Sequence, residues 1–133
     1  MACYSVILPT YNERENLPLI VFLLQETFES LSVLSPHLQL LQRVRGLGRV
    51  EFEIVVVDDN SPDKTAEEFS RLQYAMNSDR LRLLKRPGKL GLGTAYLDGL
   101  KVAKGNFIFL MDADFSHHVR PELYIHINLV AKT

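Results

Sequence analysis

The sequence predicts an α/β protein, a three-layer sandwich in which helices cover both faces of a mostly parallel β-sheet. Short runs rich in β-branched residues alternate along the chain with longer stretches whose apolar residues recur at helical spacing. One run, residues 52–57, is almost continuously apolar, which is typical of a strand buried on both faces. The resulting order, βαβαβαβ, is that of parallel strands joined by right-handed crossovers.

The first half of the chain contains a strand, a helix and a second strand. The first strand, residues 4–8, stops at Pro9, and the helix covers residues 17–31. The apolar residues of this helix share one face: Leu17, Ile20, Val21, Leu24, Phe28 and Leu31. Residues 32–50 are long for the connection to the second strand, and they are predicted to be a solvated insertion rather than a basic membrane-touching loop.

The second half repeats the alternation. Helices are predicted over residues 65–76 and 91–103, and strands over residues 81–84 and 106–111. Gly105 follows the last helix where a left-handed cap would favour glycine. The tail, residues 122–133, suits either a helix or an alternating strand.

Composition excludes several classes of protein. A length of 133 residues predicts one domain, and 47% hydrophobic residues exclude a disordered chain. Fifteen basic against sixteen acidic residues give a net charge of -1, so a general nucleic-acid binder is not expected. The single cysteine excludes an internal disulfide. No apolar run reaches the roughly 18 residues of a membrane span, and no secretory signal precedes the first strand.

Polar residues gather where the predicted strands end, and parallel sheets bind ligands beyond these carboxyl ends. The sharpest signal is Asp112-Ala113-Asp114, which follows the fourth strand. Two carboxylates two residues apart point to the same side and can share Mg²⁺ or Mn²⁺, with substrate phosphates completing the coordination. A solvated acidic turn is the alternative, and the buried strand before the pair favours the metal.

A second acidic pair, Asp58-Asp59, follows the second strand, and at least one of its carboxylates is expected to bond a nucleoside base or ribose. Tyr11 and Glu13 could stack on and bond a base, although Glu13 could equally cap the first helix. Neither a dinucleotide fingerprint nor a phosphate-binding loop is present. The predicted nucleotide site is therefore built from carboxylates and an aromatic ring.

Four motifs in order resemble family 2 glycosyltransferases: VILPTYNE at residues 6–13, VVVDDNSPD at 55–63, KLGLGTAY at 89–96 and MDADFSHH at 111–118. The resemblance covers residues 4–31 and 51–118. It implies the GT-A fold and, within the family, the transfer of mannose from GDP-mannose to dolichyl phosphate at the cytosolic face of the endoplasmic reticulum membrane. The resemblance further implies that the product serves protein glycosylation and GPI-anchor synthesis.

The resemblance also implies roles for individual residues. The guanosine part of the donor would be lined by Pro9, Tyr11, Glu13, Val57 and Asp59. The diphosphate-sugar would be bound by Asp112, Ala113 and Asp114, of which the two aspartates would hold Mg²⁺ or Mn²⁺ and act in catalysis. Small membrane-anchoring subunits are possible partners. Some relatives have a glutamine ligand where this chain has Ser116.

The chain differs from the family in two ways that affect the predicted extent of its domain. Residues 32–50 are longer than usual, and relatives continue past Thr133 with basic residues that bind the acceptor. The sequence therefore predicts a domain over residues 1–133 that is the donor-binding half and is incomplete at its C-terminus. The alternative is a non-catalytic product that binds only the nucleotide sugar or a partner. A signalling receiver domain is disfavoured, because the paired acids of receiver domains follow the first strand, whereas Asp58 and Asp59 follow the second strand of this chain.

Overall fold

A computed structural model describes residues 3–32, 51–114 and 128–131. Within these ranges the strands are β1 (Cys3–Thr10), β2 (Glu51–Asp58), β3 (Leu81–Lys85), β4 (Phe107–Leu110) and β5 (Asn128–Ala131). The helices are α1 (Leu17–Ser32), α2 (Thr65–Met76) and α3 (Leu92–Val102).

The strands form one sheet in the order β3-β2-β1-β4-β5. The first four are parallel, and β5 runs antiparallel to β4. The chain moves from β1 to β3 in one direction and then crosses back to β4 on the other side of β1. Right-handed crossovers therefore require α1 and α2 on one face and α3 on the other. The predicted three-layer, mostly parallel sandwich is confirmed.

Two apolar clusters, one on each face of the sheet, hold the layers together. The first packs α1 and α2 against alternate residues of β1 and β2, including Val6, Leu8, Ile54 and Val56. The second packs α3 against the intervening residues, Ile7, Val55 and Val57. Strand residues point alternately to the two faces, so a strand buried on both needs the continuous apolar run seen in β2.

Helix α3 lies close to the sheet because of Gly99. A Cβ built at Gly99 would lie 2.5 Å from Cγ2 of Ile7 and 3.2 Å from Cγ2 of Val57. Any larger residue would push the helix away from both strands. Gly93, in the same helix, has open space around it.

The predicted elements agree with the structure to within two residues at each end. The left-handed cap predicted at Gly105 is wrong, because Gly91 is the glycine with positive φ in the described residues. Glycine is needed at position 105 because there is no room for a side chain: a Cβ there would lie 2.6 Å from Oγ of Ser5 and 2.8 Å from the carbonyl oxygen of Cys3. Residues 128–131 are a strand. The predicted insertion comprises residues 32–50, of which Ser32 ends α1 and residues 33–50 lie outside the described residues.

A buried carboxylate joins three elements near the amino ends of the strands. Glu53 is 7% exposed. It accepts hydrogen bonds from the Ser5 hydroxyl at 2.6 Å, the Lys104 backbone N–H at 2.6 Å and the Arg82 guanidinium at 3.3 Å. Burial raises its pKa, but the bonds from Lys104, Ser5 and Arg82 outweigh this effect, so the pKa of Glu53 lies below its ordinary value.

No helix in the described ranges is long and apolar enough to cross a lipid bilayer.

The lowered pKa of Glu53 predicts a specific pH dependence of stability. The stabilisation is complete above the unfolded-state pKa of about 4.3 and is lost as the pH falls through the folded-state pKa. We expect Glu53→Gln to reduce the free energy of unfolding at pH 7 by about 1.5–3 kcal/mol, since it removes hydrogen bonds to a charged group. This difference from the wild type should shrink as the pH falls.

Urea unfolding at a series of pH values measures the effect. The control is Glu26→Gln, which changes an exposed glutamate in the middle of α1. A Glu53→Gln variant with the same pH profile as the wild type would contradict the assignment.

Candidate functional site

The carboxyl ends of β1 and β2 open into a pocket of about 120 Å³. Its walls come from the end of β1, the residue after β2, and the loop and first turns of α3. They are formed by Pro9, Thr10, Tyr11, Asp59, Lys89, Gly91, Leu92 and Ala95. The pocket lies on the edge of the sheet where polar residues were expected to gather.

The loop after β1 is fastened to the loop after β2. The backbone N–H groups of Asn12, Glu13 and Arg14 donate to side chains of Ser61, Thr65 and Asp63, at 3.0, 3.1 and 3.1 Å respectively. The side chains that follow β2 thus accept hydrogen bonds from the backbone N–H groups of the loop after β1. The path of the chain on one side of the pocket is fixed by these bonds.

Asp63 supports the beginning of α2 as well as this loop. Its carboxylate accepts hydrogen bonds from the backbone N–H of Thr65 at 3.0 Å and from the Thr65 hydroxyl. Burial raises its pKa, but the hydrogen bonds from Thr65 and from the Arg14 backbone outweigh that effect, so the pKa of Asp63 is below its ordinary value. Asp63 precedes Lys64, the N-cap residue of α2, and its carboxylate satisfies the backbone N–H of the first helical residue.

The two adjacent aspartates after β2 have different surroundings. Asp58 is 1% exposed and accepts hydrogen bonds from the hydroxyls of Thr10, at 2.9 Å, and Ser61, at 2.6 Å. It therefore joins the end of β1 to the loop after β2. Asp59 is also buried, but it lines the pocket.

Asp59 is paired with a buried arginine that is absent from the residues predicted from the sequence. Arg86 donates from Nε to Oδ1 of Asp59 at 2.6 Å and from Nη2 to Oδ2 at 2.9 Å. Its Nη1 donates to Thr94 at 2.8 Å and to Asp98 at 3.3 Å. The hydrogen bonds to Asp59 raise the pKa of Arg86, which is 5% exposed.

A signal for this pair is present in the sequence. β2 and β3 are parallel neighbours, and Asp58 lies opposite Lys85. The next residues along the two strands, Asp59 and Arg86, therefore leave the sheet side by side. An acid and an arginine at adjoining strand ends could have been matched once the register was known.

The other residues assigned to the nucleotide lie at different distances from the pocket. Pro9 and Tyr11 line it, and Nζ of Lys89 lies 4.5 Å from the centre of the Tyr11 ring, within range of a cation–π contact. Val57 is fully buried in the apolar cluster under α3, so only its backbone could reach a ligand. Glu13 lies outside the pocket lining, and its carboxylate accepts a hydrogen bond from the Asn16 amide at 2.9 Å.

The third group of predicted residues follows β4, the other neighbour of β1. Ala113 is buried, Asp112 is half-buried and Asp114 is exposed. The Tyr96 hydroxyl donates to Oδ1 of Asp112 at 2.7 Å. Burial, this hydrogen bond, and the negative charges of Asp112 and Asp114 all raise the pKa of Tyr96. Of the two carboxylates, Asp112 is the one that the Tyr96 hydroxyl contacts directly.

The donor set at this position fits a hard divalent cation. Asp112 and Asp114 are two residues apart just beyond the carboxyl end of β4, and carboxylate oxygens are the ligands that Mg²⁺ prefers. In the described part of the chain, no cluster of three or more His, Cys, Asp or Glu residues could hold a metal by itself. Mg²⁺ typically takes only one or two carboxylates and completes its coordination with water and substrate phosphates.

A comparison with known protein families identifies the family of this chain. Residues 5–132 match the family described as glycosyl transferase family 2. The chain belongs to this family. Two curated members are similar: a dolichol-phosphate mannosyltransferase of Pyrococcus furiosus is 36% identical over 85% of the chain, and a polyprenol monophosphomannose synthase of Mycolicibacterium smegmatis is 39% identical over 84%. The chain spans 26% and 35% of the lengths of these two proteins.

Solved structures of glycosyl transferases share this fold. A mannosyltransferase from Pyrobaculum calidifontis, solved in complex with GDP-Man and Mn²⁺, aligns with 84% of the chain and 27% of its own length. Its TM-score is 0.54 and its sequence identity is 28%. The predicted GT-A fold is confirmed for this family 2 chain.

Removing the Arg86 side chain should be costly, because it leaves the Asp59 carboxylate buried without its cation. We expect Arg86→Met to lower the free energy of unfolding by about 3–5 kcal/mol. The matched control is Arg71→Met, because Arg71 is 74% exposed and its ion pair with Glu68 spans 3.5 Å. An exposed pair of this kind contributes less than about 1 kcal/mol. Equal losses for the two variants in urea unfolding would refute the structural importance of the buried pair.

Proposed function

We propose that this chain is the donor-binding part of a glycosyltransferase that moves mannose from GDP-mannose to dolichyl phosphate. The proposal rests on two features at the carboxyl edge of the parallel strands. One is the pocket lined by Tyr11 and Asp59, and the other is the carboxylate pair of Asp112 and Asp114 beyond β4. Two relatives at 36% and 39% identity, a dolichol-phosphate mannosyltransferase and a polyprenol monophosphomannose synthase, support mannose as the sugar and a polyprenyl phosphate as the acceptor.

The guanosine of the donor occupies the pocket in this proposal. Tyr11 is 39% exposed, so its ring is accessible to a base. Asp59 is the hydrogen-bond acceptor. Each oxygen of an ionised carboxylate can accept two hydrogen bonds, and Arg86 uses one on each oxygen. Asp59 therefore retains capacity for the adjacent N1–H and N2–H donors of guanine. Pro9 and the backbones near Val57 and Glu13 complete this end of the site.

The diphosphate-sugar lies toward Asp112, Ala113 and Asp114, where the two aspartates would hold Mg²⁺ or Mn²⁺. The cation would neutralise the negative charge that develops on the diphosphate leaving group. The Mn²⁺ and GDP-Man bound by the Pyrobaculum mannosyltransferase support this part of the proposal.

The reaction is an inverting displacement at the anomeric carbon. An oxygen of the acceptor phosphate attacks the carbon and forms the new C–O bond, while the bond to the diphosphate breaks and GDP leaves with the electron pair. A phosphate monoester has a second pKa near 6, about one unit below neutral pH. The nucleophile is therefore already ionised, and no general base is assigned.

The acceptor determines where such an enzyme works. Dolichyl phosphate is a membrane lipid, so we assign the protein to the cytosolic face of the endoplasmic reticulum membrane as a peripheral protein. Small membrane-anchoring subunits are the proposed protein partners. The dolichol-phosphate and polyprenol enzymes among the relatives support a lipid acceptor.

The guanosine assignment predicts donor selectivity. GDP-mannose should bind at least about tenfold more tightly than UDP-glucose, because uracil offers Asp59 one N–H donor where guanine offers two adjacent groups, and each hydrogen bond to a charged group contributes about 1.5–3 kcal/mol. Calorimetric titration in Mn²⁺ measures both affinities, and free mannose is the negative control. Equal affinity for the two nucleotide sugars would overturn the guanosine assignment.

The metal assignment makes a separate prediction. Chelation of Mn²⁺ should weaken GDP binding, and Asp114→Asn should weaken it by at least about tenfold in Mn²⁺, since even partners of a metal ligand contribute 10–100-fold. Asp79→Asn is the matched control, because Asp79 is an exposed aspartate in the turn before β3 at the opposite edge of the sheet. GDP binding that survives both chelation and Asp114→Asn would eliminate the metal site.

A further inference from the structure

Helix α3 carries one side chain that reaches the acidic pair. The Tyr96 hydroxyl lies 2.7 Å from Oδ1 of Asp112 and donates to it. The ring is half-buried and packs against the apolar cluster that contains Ile7, Ala95 and Ile108. A tyrosine with a packed ring and a polar tip places its hydroxyl at a defined point.

Asp112 lies just beyond the end of a strand. β4 ends at Leu110, and the backbone N–H of Met111 still donates to Ile7 at 3.1 Å. Asp112 is therefore beyond the last strand residue, where the sheet ladder no longer fixes the chain. Its orientation is therefore set by side-chain contacts, of which the bond from the Tyr96 hydroxyl is one.

We propose that Tyr96 is a positioning residue whose hydroxyl holds the Asp112 carboxylate in the orientation in which Asp112 and Asp114 bind one divalent cation. The inference rests on the proposed function, which assigns the cation to these two aspartates. Hydrogen-bonded partners of metal-binding carboxylates orient their ligands, and replacing such a partner typically costs 10–100-fold in metal affinity.

The chain offers a matched pair of variants. Tyr96→Phe retains the packed ring and deletes only the hydroxyl. Tyr74→Phe makes the same chemical change on α2, where the tyrosine is 91% exposed. Mn²⁺ is titrated into the full chain, and free Mn²⁺ is counted by its electron paramagnetic resonance signal. We expect the Kd for Mn²⁺ to rise about tenfold in Tyr96→Phe and to stay within about twofold of wild type in Tyr74→Phe.

Two further measurements separate positioning from a purely structural role. GDP binding in metal-free buffer should be the same in Tyr96→Phe and wild type, because the pocket lined by Tyr11 and Asp59 is unchanged. In an Asp112→Ala background, Tyr96→Phe should cause no additional loss of Mn²⁺ affinity, since the carboxylate that the hydroxyl orients is then already absent.

Each contrary outcome is informative. An unchanged Kd for Mn²⁺ in Tyr96→Phe, with saturable binding by the wild type, overturns the role of Tyr96 and leaves the proposed function intact. Absence of saturable Mn²⁺ binding by the wild type overturns both the role of Tyr96 and the metal part of the proposed function. Loss of cooperative thermal unfolding in Tyr96→Phe also overturns the proposal, because the hydroxyl would then support the fold rather than the carboxylate.

Discussion

The parallel pairing of β1 with β2 determines the geometry of the site. The two strands run in register from Cys3 opposite Glu51 to Thr10 opposite Asp58, so they end at the same level. The backbone N–H of Asp59 then donates to the carbonyl of Thr10 at 3.1 Å, and the side chains of Thr10 and Asp58 are bonded to each other. With the ends joined in this way, both following loops must leave the sheet together. A shift of one residue would exchange the two faces of β2 and move the buried Glu53 carboxylate away from the Ser5 hydroxyl and the Arg82 guanidinium.

The buried ion pair of Arg86 and Asp59 fixes a carboxylate at this edge of the sheet. Burying two charges is unfavourable, and apolar residues of similar volume often stabilise a fold equally well. The pair is nevertheless fully bonded, with two contacts between the side chains and others to Thr94 and Asp98. A carboxylate held in this way is fixed in direction at the wall of a pocket. That arrangement serves recognition of hydrogen-bond donors better than it serves stability, and it is consistent with the proposed nucleoside end of the site.

The fold could be predicted largely from local pattern, whereas the site could be predicted only in part. The alternation of β-branched runs and helical periodicity is a property of each segment, and it identified the strands and helices of the described residues. Gly105 was misassigned because the sequence does not show how near Ser5 and Cys3 come to it. Arg86 was missed for the same reason: its role depends on the register between β2 and β3. The tail was ambiguous because four strand residues, 128–131, pair with β4 only in three dimensions.

Helix α3 gives the two ends of the candidate site a common support. Thr94 and Asp98 on this helix bond to Arg86, which holds Asp59. Tyr96, between them in sequence, bonds to Asp112 on the far side of β1. The helix can reach both because the return crossover from β3 to β4 passes over β2 and β1, and Gly99 allows it to pack closely on Ile7 and Val57. The distance between the pocket and the acidic pair is therefore set by one rigid element packed on the sheet. A nucleotide-sugar donor that places its base in the pocket and its diphosphate at the acidic pair would meet a preorganised site. Fewer side chains would then have to be ordered on binding, so the entropic cost of binding is reduced.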